Sequence, residues 1–339
     1  MKKKILVLGT GGTIASGGEN GLRPALGTVK MLERLPLLCE EYDIAAKDIL
    51  QLDSSNIQPE EWRCIAEHVD KEHAYFDGVV ITHGTDTLSY TAAALSFMLR
   101  GISVPVVLTG SQLPLEHPLT DAYDNLRYAF AMAASATGGV FVSFGGRILL
   151  GSRAVKVRTT GFDAFESVNH PYVADIRARG ALHINTAALP PHASYRFTGD
   201  ISGSVFLIKL TPGLDPAIFD MLAGMKYEGV VIEAFGAGGL HYIHRDLPAK
   251  LELFSSHRIP VVITSQCLYE KSDLSIYEVG RRALAGGAVD AGDMTTEAAF
   301  VKLKWLLAQG LSYERICAAM RENFAGEIES PDSAPSVFS

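Results

Sequence analysis

Short β-branched runs alternating with helical patterns constrain this chain more than any other feature. The runs are Ile5–Leu8, Gly78–Thr82, Val104–Thr109, Gly139–Phe144, Val205–Leu210, Gly229–Ala234 and Pro260–Thr264. Between them lie segments with 3.6-residue apolar spacing, such as Thr87–Leu99, closed by Arg100-Gly101, and Ala122–Ala134, with Leu126, Phe130 and Ala133 on one face. Alternating strands and helices mean parallel βαβ units, hence an α/β fold with a doubly wound, mostly parallel sheet. At 339 residues the chain exceeds what one hydrophobic core usually serves, so two domains are expected. The alternation breaks between about Arg147 and Ser202, a stretch rich in Gly, Pro, Asn and His, and resumes at Val205. The reading is a larger N-terminal domain over 1–190, a linker over 191–204 and a smaller C-terminal α/β domain over 205–339, with a frayed tail from about Ile328.

Acidic residues are spread along the chain and the formal charge is −8, which argues against nucleic-acid binding. Cys39, Cys64, Cys267 and Cys317 are far apart and form no CxxC pair, which fits reduced thiols and no zinc site. The apolar run after Met1-Lys2-Lys3-Lys4 ends at Leu8, short of the roughly 7–15 residues of a secretory signal. No stretch reaches the roughly 18 apolar residues of a membrane span. The expectation is a soluble cytoplasmic protein.

Several strand ends carry residues able to do chemistry. Ile5–Leu8 opens onto Gly9-Thr10-Gly11-Gly12, which delivers Thr13 to the carboxyl end of a strand, where open α/β sheets bind ligands. A threonine hydroxyl there can be a nucleophile. Gly78–Thr82 runs into His83-Gly84-Thr85-Asp86-Thr87 ahead of a helix. Helix capping explains one such polar residue; three in a row favour a site. Lys156 gains interest because a hydroxyl nucleophile needs a base or polarising cation nearby. Asp53-Ser54-Ser55-Asn56 reads either as an N-cap before a Glu60–Val69 helix or as a holder for a small ligand's carboxylate. His83 is read as a backbone position beside Gly84 with no catalytic role, and Asn125 and Arg127 as packing or capping residues.

Thr10-Gly11-Gly12-Thr13-Ile14-Ala15 and His83-Gly84-Thr85-Asp86-Thr87, in order and each at a strand end, resemble the two motifs of bacterial-type L-asparaginases. The likeness extends through Pro105–Gln112, Gly161–Phe165 and Asp293–Ala298 and is closest to the cytoplasmic type I branch. The resemblance implies hydrolysis of L-asparagine to aspartate and ammonia without cofactor or metal, through an acyl-enzyme on Thr13. It implies a second catalytic group of Thr85, Lys156 and Asp86, substrate binding by Asp53, Ser54, Ser55, Thr85 and Asp86, and a homodimer or homotetramer. Backbone N–H groups near Thr13 and Thr85 are natural oxyanion donors, each typically worth about 2.7–4 kcal/mol.

The chain departs from the family at several places. Leu22 stands where many members carry a loop tyrosine that helps activate the nucleophile, and Tyr277, in Ser275–Gly280, is the substitute this sequence offers. Ser265-Gln266-Cys267 resembles part of an effector site for asparagine, but Glu233 replaces its basic partner, so allostery is expected to be weak or absent. Gly239 replaces the usual Asn. Two other readings stay open: an amino-acid-binding sensor or glutamine-preferring amidase of the same fold, and, more remotely, an NAD-dependent oxidoreductase. Against the last, Ile14 occupies the third glycine position of GxGxxG. The ten histidines show no HxxxH pair with a third carboxylate ligand.

Overall fold

A computed structural model describes residues 2–17, 23–24, 27–177 and 181–329. It divides into two compact units, Met1–Gly199 and Asp200–Ser339. Leu22 and the tail beyond Glu329 lie outside the described residues.

The first unit begins with β1 (Lys4–Gly11), a ribbon of β2 (Ser16–Gly17) and β3 (Arg23–Pro24), and helices α1 (Thr28–Glu33) and α2 (Pro36–Glu41). β4 (Asp43–Leu52), α3 (Pro59–Glu72), β5 (Gly78–Thr82), α4 (Leu88–Met98), β6 (Pro105–Thr109), α5 (Ala122–Ala133) and β7 (Gly139–Phe144) follow. The remaining strands are β8 (Arg147–Leu150), β9 (Ala154–Lys156), β10 (Phe165–Ser167), β11 (Ala174–Arg177) and β12 (Ala181–Ile184). Among the described residues the main sheet has eight strands in the order β12-β11-β8-β7-β6-β5-β1-β4. β4, β1, β5, β6 and β7 pair in parallel, and β8, β11 and β12 extend the sheet antiparallel.

These pairings follow from composition. Ile5–Leu8 and all of β5 and β6 are buried, as uninterrupted apolar strands between helical layers must be. α4 is buried on every side, which suits its run of Ala, Leu and Phe. The chain leaves β1 for β4 on one side of the sheet, then crosses back to β5 on the other. The order β4-β1-β5-β6-β7 is therefore the 2-1-3-4-5 arrangement, with its switch point between β1 and β5. Both motifs leave the sheet at that switch point.

The helical expectations at 87–99 and 122–134 match α4 and α5 to within a residue at each end. β4 was not among the expected strands. It is a half-exposed edge strand whose sequence, Asp43-Ile44-Ala45-Ala46-Lys47-Asp48, has no apolar run to announce it. The irregular stretch after Arg147 contains β8 to β12, each only three or four residues long, too short for periodicity to register. Part of the stretch read as linker is attached to the first unit. Arg196 N donates to Arg100 O at 3.1 Å, Thr198 N to Met98 O at 3.0 Å, and the Tyr195 hydroxyl to Asp70 at 2.6 Å.

The second unit is a smaller parallel sheet of β13 (Val205–Lys209), β14 (Gly229–Ala234), β15 (Val261–Ser265) and β16 (Val289–Asp290) in that order. Its helices are α6 (Ala217–Gly224), α7 (Pro248–Ser256), α8 (Glu278–Ala285), α9 (Thr296–Leu307) and α10 (Tyr313–Ala319). Ile208, Phe219, Val230, Ile232, Leu251, Phe254 and Ile263 form its core. Lys302 on α9 is wholly buried with its Nζ 2.6 Å from Glu327 Oε1, also wholly buried. Lys302 also donates to Met320 O at 3.0 Å, and Glu327 accepts from the N–H groups of Phe324 and Ala325. No helix among the described residues is long and apolar enough to cross a membrane.

Candidate active site

Gly11 ends β1 and Gly12 follows it, with φ of +107° and +83°, a backbone that only glycine adopts freely. Gly12 N donates to Leu52 O at 3.1 Å, which fastens the turn to the end of β4. A Cβ on Gly12 would lie 2.4 Å from Gly84 N, so the first motif touches the backbone of the second. A Cβ on Gly84 would in turn meet Ser54 Oγ at 2.6 Å. The Thr10 hydroxyl adds a bond across the switch point, to Thr82 O at 2.8 Å. Thr13 then opens a single 3-10 turn, Thr13–Ala15.

The Asp53–Asn56 segment packs beside the second motif. Ser54 Oγ accepts from Asp86 N at 3.2 Å, and Ser54 O accepts from the Thr87 hydroxyl at 2.7 Å. Asp53 caps the short 3-10 turn Ser54–Asn56, while α3 has its own capping box of Gln58 and Glu61. The Ser55 hydroxyl and N–H both donate to Asp53 Oδ1, at 2.7 and 2.9 Å. Those two bonds, the hydroxyl's first, hold the Asp53 carboxyl below the usual carboxylate range.

Lys156 ends β9, where it pairs with Phe165 of β10. Its Nζ donates to Thr85 Oγ1 at 2.8 Å and to Asp86 Oδ1 at 2.6 Å. Lys156 is mostly covered and the Asp86 side chain is 62% exposed, so the cation faces inward and the carboxylate outward. The turn after Lys156 is fastened by Gln112, whose Nε2 donates to Gly161 O at 2.9 Å and Thr159 O at 3.2 Å. Gln112 N is fixed by both oxygens of Asp121, each at 3.0 Å. Asn125 bridges Asp121 to Gly110 O, with Nδ2 3.0 Å from each.

These elements enclose a cavity of about 210 Å³ lined by Gly12, Thr13, Asp53, Ser54, Gly84, Thr85, Asp86, Gln112, Lys156 and Thr159. It is smaller than the roughly 300–1,000 Å³ of drug-sized pockets, and its lining is hydroxyls, carboxylates, an amide and one ammonium. Such a site suits a small zwitterionic molecule. Of the residues singled out from sequence, the cavity gathers Thr13, Asp53, Ser54, Thr85, Asp86 and Lys156. Ser55 lies outside its lining and serves Asp53. Tyr277 belongs to the second unit, 62% exposed at the N-cap of α8. Gln112 and Thr159 line the cavity without having been given a role from sequence. Gln112 could have been found, because it follows the end of β6 as Thr85 follows β5. Asn125 packs, as read, but its amide also positions the Gly110 turn. His83 is fully buried, with burial pushing its imidazole down to about 4 against the opposing effect of its bond to Gly84.

Residues 4–189 match the family model described as Asparaginase, N-terminal, and residues 204–320 the Glutaminase/Asparaginase C-terminal domain. The chain belongs to the asparaginase family. Within that family it is 44% identical to an L-asparaginase of Thermococcus kodakarensis, over 96% of this chain and 99% of the relative. It is 36% identical to a glutamyl-tRNA(Gln) amidotransferase subunit of Pyrococcus abyssi, over 96% of this chain and 76% of that one. Among solved structures, the thermostable L-asparaginase from Thermococcus kodakarensis superposes with a TM-score of 0.91 at 43% identity, covering 96% of this chain and 99% of that one. L-asparaginase I from Vibrio cholerae gives 0.87 at 29%, covering 97% and 100%. The asparaginase matches bracket both motifs and the Lys156 hairpin.

Proposed function

We propose that this protein is an L-asparaginase that hydrolyses the side-chain amide of L-asparagine to L-aspartate and ammonia. The observation that carries the reading is the shared cavity in which Thr13 opens beside the Lys156–Thr85–Asp86 group. In this scheme Thr13 Oγ attacks the amide carbon, ammonia leaves, and the resulting ester on Thr13 is opened by water. Lys156 polarises the Thr85 hydroxyl, which orients that water. Asp86 and Asp53 receive the substrate's α-ammonium, and the Ser54 hydroxyl its α-carboxylate. Tyr277 is the substitute this sequence offers for the loop tyrosine, since Leu22 has no proton to relay. The 44% identity to an archaeal L-asparaginase supports the substrate, and the likeness to an L-asparaginase I supports a type I enzyme; a cytoplasmic, homo-oligomeric state is what the family resemblance of the sequence implies.

Ammonia release from asparagine and from glutamine, for wild type and Thr13→Ala, tests the reading. Asparagine turnover lost in Thr13→Ala with asparagine still bound is the expected result. Unchanged turnover in that variant would remove Thr13 from the covalent step. Faster release from glutamine would reassign the substrate. Tyr277→Phe with full kcat would end the role given to Tyr277.

A further inference from the structure

His83 stands directly between β5 and the second motif and has no contact with solvent. Its ring has two fixed partners: Nδ1 lies 2.7 Å from Gly84 O, and Nε2 lies 3.0 Å from the Thr91 hydroxyl on α4. A carbonyl oxygen only accepts, so Nδ1 carries the proton and Nε2 accepts from Thr91. Gly84 O thereby selects one tautomer of a neutral imidazole, and the Thr91 hydroxyl anchors the other ring nitrogen.

The consequence appears on the far side of the next peptide. No peptide bond among the described residues is cis. In a trans peptide the carbonyl and the following N–H point in opposite directions, so the Gly84 C=O and the Thr85 N–H diverge. The carbonyl is drawn into the interior by His83. Among the described residues, no group accepts a hydrogen bond from Thr85 N–H, and Thr85 lines the cavity. We infer that His83 is a positioning residue: it holds the Gly84–Thr85 peptide so that Thr85 N–H projects into the cavity as an oxyanion donor. The inference rests on the amide-hydrolysis reading, because only a tetrahedral intermediate gives that N–H a developing charge to meet.

Three variants test it in the intact protein. His83→Leu removes the donor to Gly84 O; His83→Asn keeps an amide N–H at nearly the place of Nδ1; Thr91→Val keeps shape but frees the ring from its anchor at Nε2. Loss of one oxyanion donor lowers kcat by about 10²–10³-fold, and an interaction made only in the transition state leaves KM within about threefold. That is the result expected for His83→Leu, with His83→Asn recovering most of kcat. Thr91→Val is expected to lose kcat by about tenfold, since a freed ring can turn a lone pair toward Gly84 O. A purely structural role would not produce a kcat-only loss or rescue by Asn. His83→Leu with kcat within threefold of wild type, or His83→Asn as slow as His83→Leu, would overturn the inference. If His83→Leu does not fold, Thr91→Val decides: undiminished kcat there overturns it. Failure of the underlying reading would look different, as a wild-type protein that releases no ammonia from any amide, and would overturn the inference with it.

Discussion

His83 also ties the site to acid stability. Its ordinary value is 6.5 and burial moves it down to about 4, so the unfolded chain binds this proton more readily than the folded one. The stability it contributes is present above about pH 6.5 and is lost as pH falls through 4, a change of about 3 kcal/mol for this group. Urea midpoints should therefore fall over that range and fall less in His83→Asn. Glu297 acts in the opposite sense. Desolvation, with Glu233 nearby, raises it from 4.5 to about 7, so the folded form holds its proton where the unfolded form has released it. Its contribution is full below about pH 4.5 and is lost as pH rises through 7. Glu297→Gln should accordingly remove the loss of stability that sets in between about pH 4.5 and 7, and leave the opposing change between about pH 6.5 and 4 to His83.

The element that places the lysine is the β9–β10 hairpin, and Gln112 holds its turn through the carbonyls of Thr159 and Gly161. Gln112→Leu removes both bonds while conserving bulk. Amide exchange over residues 157–164 should quicken, and kcat should fall about tenfold as Lys156 loses its fixed place beside Thr85. Unaltered exchange in that turn would show that Val157 N to Ala164 O, at 2.8 Å, suffices to hold it. The parallel strands were readable because buried strands must be apolar along their length, and Thr13, Thr85 and Asp86 were readable because they follow such strands at a glycine. Lys156 ends a strand of three residues, too short to mark its place, so the need of a hydroxyl nucleophile for a nearby cation raised it and the family likeness gave it a role. Ser55 and Gln112 could not be sorted into support and lining from sequence, because that depends on which way Asp53 and the hairpin turn face. β4 was missed for the reason that makes it an edge: one side needs no apolar cover.

At the scale of the whole molecule, the second unit depends on a charge pair with no solvent around it. Removing one partner of such a pair leaves the other buried and unpaired, at about 3–5 kcal/mol. Lys302→Met should lower the unfolding free energy of the second unit by that amount, read as a lower urea midpoint. Glu327→Gln added to it should restore much of the loss, because the amide keeps an acceptor for Phe324 and Ala325 without the charge. A double variant no better than Lys302→Met alone would show that the cation's bonds to backbone carbonyls matter more than its partner's charge. The first unit is joined at its centre in another way, by the approach of Gly12 to Gly84. A side chain at position 12 would strike a main-chain nitrogen, and no substitution at position 84 removes a main-chain nitrogen. A change at one position therefore has no compensating change at the other. Across descendants of such a chain these two sites should be held separately and never trade residues, so this close contact would be silent to any method that finds contacts by correlated substitution.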